Sequence, residues 1–155
     1  MIITDKLGNI LFDTNQYPGV KVESLAAALE LAVRMNKPLP NAKLDNTRLR
    51  EIKLSGANLV EADLRLANLS GANLNGAVLT KADLRMALLA NADLRNADLR
   101  GANLRCAILQ GASLAGAKLD GADITGTDRE SELSSVGVET TYIMVHKRKA
   151  AAKTG

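Results

Sequence analysis

Residues 57–74 read Ala-Asn-Leu-Val-Glu-Ala-Asp-Leu-Arg-Leu-Ala-Asn-Leu-Ser-Gly-Ala-Asn-Leu. A leucine falls at every fifth position, with alanine two residues before it and Asn or Asp between them. Followed outward, leucine recurs at this spacing from Leu44 to Leu119, and Ile124 continues the series. From Ala42 to Gly126 this makes 17 units, with alanine at 15 of the small positions; only Thr47 and Ile52 depart.

Period five is incompatible with the two common elements. On an α-helix, five residues advance about 500°, a net rotation of about 140°, so leucines would scatter round the circumference. In a flat strand side chains alternate, so an odd step sends successive leucines to opposite faces. Both arrangements bury charge. A third satisfies every residue: the chain turns a corner after each pentad, and four sides close one coil of 20. Leu and Ala then point inward, and the other three positions point out. The outward residues agree. The position before Leu is Asn or Asp in nine units, residues that bond their own backbone at turns. The last position is Gly in eight, as a tight corner favours. Coils stacked at about 4.8 Å give a rod roughly 20 Å long.

This A(D/N)LXX pattern over residues 42–126 closely resembles the pentapeptide-repeat family. The resemblance implies an all-β solenoid, a right-handed quadrilateral β-helix, with no cofactor and no catalytic residues. It leaves the role open: some members resemble duplex DNA and act on type II topoisomerases.

A coil exposes backbone at both ends and calls for caps. Residues 1–41 supply one: two β-rich runs flank Leu7-Gly8-Asn9, predicting a hairpin, and Leu25, Ala28, Leu29, Ala32 and Val33 form a helical stripe over 23–36. Ser24 is the expected N-cap, and Pro38 and Pro40 end the helix. Its Leu25/Leu29/Val33 face is expected to lie over the Leu44–Leu59 coil. This front end resembles that of some short bacterial and phage pentapeptide-repeat proteins. Residues 127–155 form the remaining segment, with a strand expected at 138–145 and a basic tail at 146–155. The strand could pair with the last coil, the hairpin or a second subunit.

Composition bounds the function. The chain has 155 residues, is 46% hydrophobic, and has only three aromatic residues, Phe12, Tyr17 and Tyr142, so a small, regular core must replace large rings. A single cysteine, Cys106, precludes an intrachain disulfide and fits a reducing cytoplasm. No apolar run approaches the roughly 20 residues that span a bilayer, and the first residues lack a signal-peptide pattern. The expected setting is cytoplasmic. The only histidine, His146, falls in the tail, and Asp63, Asp83, Asp93, Asp98 and Asp123 share one turn-forming position, so they read as corners rather than paired catalytic acids. No enzyme is expected.

Folding the sequence into 20-residue columns isolates two features. Arg65, Arg85 and Arg105 stack as a ladder beside Asp63, Asp83, Asn103 and Asp123. They form either a self-neutralising lattice or an anion-binding stripe. Around the next corner, Leu66, Met86 and Cys106 stack in one outward column, and Leu88 and Ile108 in the adjacent one. Such a patch marks a contact: a terminal segment of the chain, a homodimer, or an unidentified protein partner. The expected function is therefore a non-catalytic protein-interaction or scaffolding module. A topoisomerase- or gyrase-modulating DNA mimic is the alternative. Residues 42–126 carry 11 Lys/Arg against nine Asp/Glu, the wrong sign for a phosphate mimic. Nucleic-acid binding is expected to be confined to weak, non-specific contacts of the basic tail.

Overall fold

The computed structural model describes residues 1–17, 19, 22–130 and 133. The strand expected at 138–145, the basic tail and His146 lie outside them.

From Leu39 onward one rule organises the backbone. Apart from Ala42, which bridges to the front of the chain, each bridged residue pairs in parallel with the residue 20 positions on: Lys43 with Asp63, Asp63 with Asp83, Asp83 with Asn103, and Asn103 with Asp123. The other sides repeat the offset, as in Arg48–Asn68–Leu88–Ile108. Four pentads thus separate a residue from its partner. Each side contributes an isolated bridge rather than a regular strand, because corners every five residues leave too little straight backbone. The pairing begins at Leu39, whose amide donates to the Asn58 carbonyl at 2.9 Å, one unit before the alanine series starts.

In a pentad with Asp before its leucine every amide is accounted for, which is what a folded backbone requires. In the unit 62–66, Ala62 closes the corner onto the Leu59 carbonyl (3.1 Å), and Asp63 donates back to Ala42 (2.9 Å). Leu64 donates forward to Asp83 (2.8 Å), and Leu66 to Arg85 (3.0 Å). The remaining amide, Arg65, meets the side chain of Asp63 at 3.3 Å. Asn68 and Asn73 serve Ser70 and Asn75 in the same way. This is why Asn and Asp precede leucine: their short side chain satisfies the one amide the ladder leaves over. The fifth position has positive φ throughout, from Asn41 at 57° to Gly126 at 72°. Only glycine adopts that conformation without steric cost, and Asn tolerates it.

Leu and Ala fill the interior. Every leucine of the series from Leu44 to Leu109 is at most 1% exposed. Each such burial contributes about 1.5–3 kcal/mol before chain entropy is subtracted.

At the front, β1 (Ile2–Thr4) and β2 (Ile10–Asp13) pair antiparallel. The hairpin joins the first circuit through Lys43 to Thr4 (2.9 Å), Lys6 to Asn41 (3.1 Å) and an Asp5–Ala42 bridge. Helix α1 (Leu25–Arg34) is capped by Ser24, whose hydroxyl accepts from the Ala27 amide at 3.1 Å. It closes with Asn36 at φ 52°, Asn36 donating to Val33 and Lys37 to Ala32, the paired bonds of a Schellman end. Its fully buried residues are Ala28, Leu29 and Ala32, with Leu25 and Val33 only partly covered. The buried stripe is therefore centred slightly off the expected Leu25/Leu29/Val33 line, because two alanines permit closer approach. Glu30 fixes the helix to the coil by accepting the Lys53 amide at 2.9 Å.

Candidate interaction groove

The arginine column and the Leu66/Met86/Cys106 column line one surface groove. Its volume is about 430 Å³, and its walls are Arg65, Arg85 and Arg105, Leu66, Met86 and Cys106, with Asp45 at one end. Arginine and apolar residue are consecutive in these three pentads, so the corner sets the guanidinium on one side and the apolar group on the other. Asp45 holds the arginine position one circuit earlier, so the 20-residue column extends to it. Leu88 and Ile108 are 40% and 39% exposed on the adjoining side and do not line the groove.

The arginines are held by aspartates. Arg65 contacts Asp63 at 2.6 Å and reaches across a circuit toward Asp83 at 3.8 Å; Arg85 contacts Asp83 at 2.6 Å; Arg105, whose own unit has Asn103, contacts Asp123 at 3.4 Å. A lattice is therefore present. It is not symmetric toward solvent: the Arg65 and Arg85 side chains are 45% and 46% exposed, whereas Asp63 and Asp83 are 10% and 25%. Solvent meets guanidinium, with carboxylate beneath. Hydrogen bonds from the Arg65 guanidinium hold the Asp63 carboxyl below its ordinary value, against the opposing effect of burial. For Asp83 burial is the strongest single influence and pushes upward, yet the bonds from Arg85 prevail and the carboxyl is lowered. Both acids are ionised at neutral pH, and both arginines are made more basic, chiefly by the same hydrogen bonds.

The apolar residues sit where local stability disfavours them. Leu66, Met86 and Cys106 have φ of 59°, 58° and 56°. A non-glycine residue there costs on the order of 1 kcal/mol. Leu66 and Met86 are nonetheless 51% and 55% exposed. Leu88 and Ile108 occupy the position where Asn or Asp would receive the amide two residues on, and neither offers an acceptor to Ala90 or Gln110.

Among the described residues no group of His, Cys, Asp and Glu could hold a metal ion. Among them, too, no helix is long and apolar enough to cross a membrane. The family model for pentapeptide repeats matches eight copies, over residues 39–71, 57–96, 67–105 and 92–128, more than half of the chain. The chain belongs to the pentapeptide repeat family. Solved pentapeptide repeat proteins resemble it. Rfr23 from the cyanobacterium Cyanothece 51142 is 40% identical with a TM-score of 0.52, over 58% of this chain and 58% of that one. A pentapeptide repeat protein of the Arabidopsis thaliana thylakoid lumen is 30% identical (TM-score 0.41; 64% of this chain, 73% of that one). The alr5209 protein of Nostoc Pcc 7120 is 34% identical (TM-score 0.35; 70% and 89%). This pentapeptide repeat chain thus spans 58% of the length of its Cyanothece relative. No curated protein matches it.

Proposed function

We propose that this chain is a non-catalytic interaction module: residues 42–126 form a right-handed quadrilateral β-helix whose groove receives a protein partner. The backbone offset of 20 residues and the buried Leu/Ala interior support the rod. One observation carries the function. Leu66 and Met86 are exposed apolar side chains at corner positions where glycine or asparagine is more stable, beside outward-facing guanidiniums. Stability alone selects against that combination, whereas a partner surface uses it. The outward arginines also disfavour a phosphate-mimicking surface, so the DNA-mimic alternative has the wrong charge toward solvent.

The reading makes opposite predictions for stability and binding. Met86→Asn relieves the corner and is expected to stabilise the fold by about 1 kcal/mol. The same substitution weakens retention of native partners, and Met86→Glu abolishes it. Urea unfolding paired with affinity capture measures both. If Met86→Glu and Arg85→Glu each retain the wild-type partner set, the groove is not the binding surface.

A further inference from the structure

The groove has a fixed pitch. Its walls stand on backbone that is hydrogen-bonded from one circuit to the next: the Asn46 amide donates to the Arg65 carbonyl (2.7 Å), Leu66 to Arg85 (3.0 Å) and Met86 to Arg105 (2.9 Å). Successive rungs are therefore separated like paired strands, by about 4.8 Å, which sets Arg65 and Arg105 about 9.6 Å apart. An occupant that meets more than one rung must match that pitch. The guanidiniums are anchored as well as spaced. Arg65 and Arg85 give Nε and Nη2 to Asp63 and Asp83, which fixes each fork. Nη1 carries two further donors, and all three arginine side chains are exposed. Cations held in place this way lose little freedom on meeting a carboxylate. Opposite them, Leu66, Met86 and Cys106 form an apolar wall with the same pitch.

We propose that the groove receives an α-helix of a protein partner, lying along the rod, with acidic residues at i, i+3 and i+7 on the arginines and apolar residues beside them. This rests on the groove being a binding surface and names what binds there. On a helix those acids stand about 4.5 and 10.5 Å along the axis from the first, within about 1 Å of the second and third rungs. On an extended strand, acids of one face recur about every 6.7 Å, so the third overshoots Arg105 by nearly 4 Å. Charge selects the acids, because solvent meets guanidinium with carboxylate beneath. The front rung differs: Asp45 excludes a fourth acid and favours the positive N-terminal end of the helix there. Helix α1 of a second copy does not qualify, since its single acid, Glu30, is engaged by the Lys53 amide.

Titration of the full chain with fluorescent peptides, followed by anisotropy, tests the proposal. One stapled helical peptide carries Glu at i, i+3 and i+7 flanked by leucines. A second replaces the middle Glu by Lys, and a third is an extended peptide that alternates Glu and Leu. The first is expected to bind at least tenfold more tightly than either of the others. Arg85→Glu should reverse the preference between the first two, and that reversal shows that the variant keeps its groove. Arg85→Gln adds no negative charge beside Asp83, and should weaken the first peptide severalfold even if the Glu variant does not fold. Equal binding of the helical and extended Glu peptides overturns the proposal, as does a preference that neither substitution changes. If the helix shows no preference while Met86→Glu still loses native partners, the helix is wrong and the groove remains a binding surface. An unchanged native partner set in both Met86→Glu and Arg85→Glu removes both readings.

Discussion

The two ends of the coil solve the same problem with different means. At the front, the hairpin donates and accepts through its backbone, and α1 lays Ala28, Leu29 and Ala32 into the core. At the far end, the described residues Asp128, Arg129 and Glu130 contribute two carboxylates and one arginine, Leu133 is buried in the core, and Leu114 and Ala117 of the last circuit are only partly buried. The difference teaches what a repeat can and cannot provide. Each pentad satisfies its neighbours above and below, so the interior needs no special residue. An end has a neighbour on one side only, and its stability depends on whichever non-repeat sequence arrives there.

That contrast is open to direct attack. The largest effect should come from the apolar plugs. Leu29→Ala is expected to cost about 3 kcal/mol, because it opens a cavity at a fully buried position beneath the helix. Leu133→Ala should cost clearly less, about 1–2 kcal/mol, since the end it covers is less enclosed. Urea denaturation of both variants checks the order; equal losses would mean that the far end is as well sealed as the front. Next come the two carboxylates that receive coil amides. Glu30→Ala and Asp128→Ala each remove an acceptor, at 2.9 Å from Lys53 and 2.6 Å from Leu109. Each is expected to cost about 1 kcal/mol or somewhat more. Exchange should quicken at Lys53 in the first and at Leu109 in the second, with no crosstalk. Coupled changes at both ends would show that the rod frays as one unit rather than from its ends.

The smallest effect concerns the middle, which separates the ends. Bonds from Arg95 lower the Asp93 carboxyl from 3.8 to about 2. A carboxyl depressed in the folded state stabilises above its unfolded value, and that contribution is lost as pH falls through the folded one. Stability should therefore decline between about pH 4 and pH 2, and Asp93→Asn should flatten that decline slightly. The pair lies at the surface, so the change is small. Denaturation midpoints across this range measure it; an unchanged acid limb would show that the pair contributes nothing.

Much of this was legible because the repeat is strict. The inward leucines, the Asn/Asp position and the glycine corners each followed from period five, and backbone bonds such as Arg65 to Asp63 supply the local reason. The hairpin and the Ser24-capped helix were legible from alternation and capping residues, which act within a few positions of one another. Less was legible at the groove. The columns named Arg65, Arg85 and Arg105 and Leu66, Met86 and Cys106, but not that they share one cleft or that the aspartates lie beneath the guanidiniums. Those are properties of side-chain direction around a corner, and spacing carries no such information. Asp128, Glu130 and Arg129 were equally hidden, since no periodic signal marks a residue that reaches back 17 to 19 positions or caps a turn.

By itself, the sequence determined which side chains face inward and how far along the chain each finds its neighbour. Both follow from one period that only a corner at every pentad can satisfy. The tertiary structure decided how the outward residues combine and how well each end is closed. Those outcomes depend on contacts between positions that no repeat relates, where distance in space is set by packing rather than by count along the chain.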